Sequence, residues 1–112
     1  MNKFFLIILS FIFCQSTIAQ GNKSQGKTEE GRRLYETNCA ACHSFESHGI
    51  GPSLAGVTKQ LSTKELTDFI CNPQKVIDSG NERAVKLQKK YKSVMPSYNM
   101  LGKDKIESII AF

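Results

Sequence analysis

Cys39-Ala40-Ala41-Cys42-His43 puts two thiols and an imidazole into five consecutive residues. Two cysteines separated by two residues and followed at once by histidine form the attachment signal for c-type haem. The chemistry is covalent and coordinative together. The thiols add to the vinyl groups of the porphyrin as thioethers, their spacing setting them across adjacent pyrroles. His43 is thereby carried beneath the iron, where its imidazole serves as a ligand. The plainer readings are a disulfide between the two cysteines or half of a zinc site. Structural zinc wants four ligands, and no second Cys/His pair stands at finger-like spacing. A thioredoxin-like redox pair wants a βαβ setting, and no segment alternates with the period of two that strands require.

The elements available to hold such a site are few. The chain has 112 residues, 40% apolar and 22% charged, with no tryptophan and a formal charge of +5. That is at most one domain, too small for a doubly wound nucleotide-binding fold or a barrel enzyme. Chains this short commonly rely on a disulfide, a metal or a cofactor for stability. Residues 1–19 read as an export signal: Lys3 supplies the positive start, Phe4 to Phe13 an apolar run, and Thr17-Ile18-Ala19 the small residues before cleavage at Gln20. The run is about half the ~20 residues that span a bilayer, so membrane association is expected only if the segment stays uncleaved. Cys14 raises lipidation, which the bulky Phe13 before it disfavours. The expected location is therefore exported and periplasmic, where unprotected thiols do not stay reduced.

Residues 20–27 contain no apolar side chain and read as a flexible lead-in to a domain over 28–112. From Thr28 the pattern is helical, with Gly31, Leu34, Tyr35 and Asn38 sharing one face. Ser44 to Ser62, with three glycines and a proline, reads as a long loop wrapped around something. Ser62-Thr63-Lys64-Glu65 is a capping box ahead of the stripe Leu66, Phe69, Ile70, and Pro73 ends that helix near Asn72. Asn72-Pro73 suits the cap and first position of a further turn. A helix follows over Glu82 to Tyr91, then a turn-like stretch to Gly102. The last helix, from about Lys103 to Phe112, should bury Ile106, Ile109, Ile110 and Phe112. The expected class is all-α, three to four short helices with long loops.

Beyond the pentapeptide, the sequence resembles class I cytochrome c. In that family a glycine and an aromatic stand eight and four residues before the first haem cysteine, as Gly31 and Tyr35 do here. The family's terminal helix crosses at that glycine through an apolar residue and an aromatic three apart, matched by Ile109 and Phe112. Gly51-Pro52-Ser53-Leu54 matches the turn whose proline carbonyl accepts the axial histidine N–H, and Met95-Pro96 the pair that carries the distal ligand. The resemblance implies one covalently bound haem c on Cys39 and Cys42, with Pro52 holding His43 through its carbonyl. It implies iron ligated by His43 and Met95. In relatives with tryptophan that residue contacts a haem propionate. Here the contact must fall to Tyr, Asn or Lys or be missing.

Among other candidates for the distal position, Met100 stands beside Leu101 and reads as core or haem-lining. His48, five residues after His43, is too close in sequence to reach the opposite face and reads as solvated. A Met/His pair is the usual axial set of electron-transfer cytochromes c, with a potential raised over bis-His ligation. Cys71 is left unpaired; behind Phe69-Ile70 it reads as a buried inert thiol, the alternatives being a reactive thiol or an intermolecular disulfide.

Between Lys75 and Lys92 six basic residues face two acids, a net of +4. Export removes only Lys3 from the chain's +5, so this block holds the whole net charge of the exported part. It reads either as a solvated helix face or as a surface that steers acidic redox partners. Nothing here would stack nucleic-acid bases. The expected function is a single-electron carrier of a respiratory chain, not an enzyme, with no small-molecule substrate. Donors and acceptors of the kind the resemblance implies are a quinol-oxidising complex, a terminal oxidase or a periplasmic reductase. The alternatives are a cytochrome subunit of a periplasmic oxidoreductase, or a haem peroxidase or sensor with an open distal site, which the Met95 assignment disfavours.

Overall fold

The computed structural model describes residues 22–112, so the export segment, Cys14, Gln20 and Gly21 lie outside the described residues. The described chain is all-helical, as the sequence pattern predicts. Six α-helices follow in order: α1 (Asn22–Asn38), α2 (Val57–Gln60), α3 (Thr63–Cys71), α4 (Pro73–Asp78), α5 (Glu82–Tyr91) and α6 (Lys103–Ala111). A 3-10 turn at Asn99–Leu101 leads into α6. The number exceeds the three or four expected because α2 and α4 have only four and six residues, too few to show a helical period.

α1 starts at Asn22, not at Thr28, so the stretch read as a flexible lead-in is helical from Asn22 onward. No proline interrupts it, and the Thr28 hydroxyl donates back to the Ser24 carbonyl at 3.2 Å instead of capping. Lys27 approaches Glu107 of α6 at 3.8 Å. The long loop expected over Ser44 to Ser62 is broken by α2, which the chain enters through Gly56 at φ 70°.

The caps follow the sequence closely. The Ser62 hydroxyl accepts the Glu65 N–H at 3.2 Å, and the Glu65 carboxylate accepts the Ser62 N–H at 2.8 Å. Asn72 ends α3 and caps α4, its Oδ1 accepting the Lys75 N–H at 3.1 Å with Pro73 next in line. Asn81 caps α5 in the same way through the Ala84 N–H at 3.0 Å.

α1 and α6 form the main helix packing, and Gly31 is where they meet. A Cβ on Gly31 would lie 1.9 Å from the Ser108 carbonyl oxygen and 3.1 Å from the Phe112 Cβ. The close partner is thus the Ser108 backbone together with Phe112, while Ile109 turns toward the cavity described below. Ile106 is fully buried. Phe112, expected to be buried, is 42% exposed and sits at the rim of a three-ring cluster, 5.6 Å from Tyr35 and 6.1 Å from Phe45. Because backbone, not a movable side chain, occupies the space above Gly31, Gly31→Ala must separate the helices. It should lower stability by about 3 kcal/mol, read from the denaturant midpoint of the complete protein. An unchanged midpoint would contradict the close crossing.

Candidate functional site

The pentapeptide continues α1 by one more turn. Cys42 and His43 both donate their N–H to the Cys39 carbonyl, at 3.1 and 3.0 Å, and Cys39 donates to Tyr35 at 2.8 Å. This turn leaves Cys39 half-buried and Cys42 exposed, both as free thiols. Burial pushes the Cys39 thiol above its usual range, and the neighbouring Cys42 adds to the effect.

The next residues fold back over His43. Gly51 donates to the Cys42 carbonyl at 2.9 Å and Leu54 to the Ser44 carbonyl at 2.9 Å. The Tyr35 hydroxyl donates to the His43 carbonyl at 2.9 Å. Within this frame His43 Nδ1 lies 2.8 Å from the Pro52 carbonyl oxygen. A carbonyl only accepts, so Nδ1 carries the proton and Nε2 keeps its lone pair for a metal. Gly51 stands directly on the imidazole: a Cβ there would be 2.5 Å from Cε1 and 2.9 Å from Nδ1. Its role in the Gly-Pro turn is therefore to let the backbone lie flat against the ring.

Two adjoining cavities of about 140 and 600 Å³ open beside this turn, the larger within the range typical of cofactor sites. Cys39, His43, Pro52, Phe69, Leu87 and Met95 border both. The two expected axial residues, 52 positions apart, are thus brought to one space. α5 supplies a wall at i, i+3, i+4, i+7 spacing (Ala84, Leu87, Gln88, Tyr91) and turns Lys86, Lys89 and Lys90 outward.

The segment carrying Met95 hangs from α3 and α1. Tyr98 donates its N–H to the Ile70 carbonyl at 3.0 Å and its hydroxyl to the Asn38 carbonyl at 2.8 Å. The Ser97 hydroxyl bonds the Cys71 carbonyl. Cys71 itself is half-buried and free. Met100, read from sequence as core or haem-lining, is 89% exposed and borders neither cavity, because the 3-10 turn aims it outward. His48 is exposed as expected, yet it is not simply solvated: its Nδ1 meets the Ser53 N–H at 3.1 Å and the Tyr91 hydroxyl at 2.7 Å.

This donor set suits a haem. Two thiols in a Cys-x-x-Cys-His turn, an imidazole with Nε2 unprotonated and a thioether border one largely apolar space. Among the described residues no cluster of three His, Cys, Asp or Glu side chains would hold a bare metal ion. The sequence model of the cytochrome c family matches residues 28–112, nearly all of the described chain. The chain belongs to the cytochrome c family.

Relatives agree with that membership. A cytochrome c-553-like protein of Synechocystis is 31% identical over 84 residues, covering 63% of this chain and 80% of its own. Cytochrome c-554(547) of Halothiobacillus neapolitanus is 37% identical over 46 residues, covering 39% and 50%. The structure of cytochrome c from Rhodothermus marinus superposes with a TM-score of 0.72 at 24% identity, covering 84% of this chain and 80% of that one. The protein is thus a monohaem cytochrome c, a family whose members typically carry electrons and are not enzymes.

Sequence reasoning overlooked two features of this cytochrome. Arg83, one of the basic block in sequence, is among the described residues the one Lys or Arg side chain bordering either cavity, and its Nη1 donates to Gln60 Oε1 at 3.0 Å. Among the described residues no lysine borders the cavities, so the carboxylate-binding role expected of Tyr, Asn or Lys has Arg83 as its cationic candidate. The 43-residue separation of His48 and Tyr91 left no local signal for their contact.

Proposed function

We propose that this cytochrome is exported and carries single electrons between redox proteins, with haem attached through Cys39 and Cys42 and its iron ligated by His43 and Met95. The observation that carries the reading is His43: with Nδ1 fixed to the Pro52 carbonyl at 2.8 Å, Nε2 faces a space that Met95 also borders. When bound, the haem supplies an iron that gains or loses one electron. The protein's residues do the rest. The two cysteines tether, Pro52 and Gly51 fix the imidazole plane, and the Tyr98 bonds hold the methionine segment. With His43 and Met95 both holding the iron, no outside ligand would need to bind or leave during electron transfer. The oxidised protein should show a methionine–iron charge-transfer band, and the reduced protein should not bind carbon monoxide. Carbon monoxide binding without that band would favour the sensor or peroxidase reading. Export rests on the sequence of residues 1–19; among the described residues no helix is long and apolar enough to cross a membrane.

The partners we propose are acidic. Lys75, Lys89, Lys90 and Lys92 are exposed and form no ion pair among the described residues, whereas Lys86 reaches Glu82 at 3.6 Å. Ile50 and Val94, 59% and 73% exposed, border the smaller cavity, and Val94 follows Lys92 by two positions. An apolar contact rimmed by charge suits a transient redox encounter. Reversing Lys89, Lys90 and Lys92 to Glu should slow electron exchange with an acidic partner about tenfold at low salt and flatten its ionic-strength dependence, the haem spectrum staying unchanged. The same reversal at Lys23 and Lys27 on the first turns of α1 is the control. Equal loss in both sets would mean that net charge alone acts.

A further inference from the structure

His48 and Tyr91 make the one side-chain bond among the described residues between the turn after His43 and the end of α5. His48 stands in the turn between His43 and Pro52, on the proximal side. Tyr91 is the last residue of α5, immediately before the irregular run to Met95. The ring centroids are 6.1 Å apart, and Tyr91 Oη lies 2.7 Å from His48 Nδ1. The same Nδ1 is 3.1 Å from the Ser53 backbone nitrogen. The amide can only donate, so Nδ1 holds a lone pair and no proton. It follows that the Tyr91 hydroxyl donates as well, and that the imidazole proton is on Nε2.

The two ends of the Met95 segment are held unequally. After Met95, Ser97 and Tyr98 make three bonds to α3 and α1. Before it, the chain leaves α5 through Lys92 at φ 50°, and among the described residues the Ser93 side chain makes no hydrogen bond. The first fixed point on that side is Tyr91, which borders the smaller cavity with Ile50 and Val94.

We propose that His48 is a positioning residue for the distal ligand: its unprotonated Nδ1 latches Tyr91 to the proximal turn and keeps the Met95 segment closed over the site. This rests on Met95 being the ligand. A proton taken up at Nδ1 consumes the lone pair, the Ser53 N–H loses its acceptor, and the Tyr91 hydroxyl can no longer donate to the ring. The latch therefore depends on the neutral ring and opens when the ring is protonated. The charged groups facing it are few. From α5, the Lys90 ammonium lies 5.3 Å over the Tyr91 ring. From the turn itself, Glu46 is two residues away and is exposed.

The test uses the complete haem-loaded protein. In the oxidised state, the cyanide-binding rate that becomes independent of cyanide concentration reports spontaneous departure of Met95. It should rise about fivefold from pH 8 to pH 5.5, the scale of one lost hydrogen bond. Tyr91→Phe should raise the rate about fivefold at pH 8 and leave it nearly flat with pH. His48→Asn should also lose the pH response. A rate that is flat in the unsubstituted protein, or that keeps its pH response in both variants, would overturn the latch. The reduced, diamagnetic protein gives a readout independent of ligation. Nitrogen NMR should find His48 protonated on Nε2 at pH 8, and a proton on Nδ1 would overturn the latch whatever the ligand. Absence of a methionine–iron band at every pH would instead overturn the Met95 assignment beneath it.

Discussion

Replacing both Cys39 and Cys42 by alanine is expected to free the haem into acidified organic solvent and to abolish cooperative unfolding. The unsubstituted protein should keep its haem under the same extraction, because thioethers do not hydrolyse there. The second half of the expectation follows from how little core the polypeptide makes for itself. Among the described residues Tyr35, Ala84 and Ile106 are the buried apolar side chains, while Leu87, Phe69, Ile109 and Ile110 spend their apolar surface on the cavities. Ordering the backbone costs about 1–2 kcal/mol per residue, and that cost needs a large buried area to offset it. The side chains aimed at the cavities recover theirs against the porphyrin. The double variant should therefore give a weak helical circular dichroism signal that changes gradually with temperature. Either single variant, keeping one thioether, should fall between the two. Extractable haem from the unsubstituted protein, or a sharp thermal transition in the double variant, would refute the argument.

Met95→Ala is expected to lower the reduction potential by on the order of 0.1 V, within the ~0.8 V that axial ligands span. A thioether is a soft ligand that favours the ferrous state, so its loss favours the ferric state. The methionine–iron band should disappear, and the reduced protein should bind carbon monoxide. Met100→Leu is the matched control. Met100 is 89% exposed and borders neither cavity, so potential and spectrum should not move. The opposite pattern, with Met100 carrying the effect, would reassign the ligand.

The legible parts of the molecule are those written in neighbouring residues. The capping box at Ser62, the Asn72-Pro73 junction and the bounds of α5 each depend on a few adjacent positions, and all are found as expected. The His43 bond to Pro52 and the crossing at Gly31 were also anticipated, though through family resemblance. What stayed hidden has a common physical cause. α2 and α4 are shorter than the window in which a helical period can be counted. Asn22 to Lys27 are helical without an apolar face, so no pattern announced them. Met100 and Phe112 look like core residues by type, but the 3-10 turn and the chain's exit from α6 aim them outward. Arg83 and the His48–Tyr91 pair depend on which loops meet, which composition does not encode.

The α1–α6 crossing also sets an order of events. Its two sides are far apart along the chain: Ser108 Oγ reaches Glu30 Oε2 at 3.3 Å across 78 positions. A contact of that separation forms only after most of the polypeptide is available, and slowly. Until then the turn that extends from α1 has no packed base, and both thiols stay open to solvent. Once closed, Cys39 is half-buried with its thiol pushed up, and the thiolate is the reactive form. Attachment is thus favoured while the crossing is open, and since the polypeptide makes little core without the haem, closure follows it. Gly102 leads into α6 at φ 78°, where a side chain is strained, so a substitution there would weaken the docking and lower the yield of ordered, loaded protein.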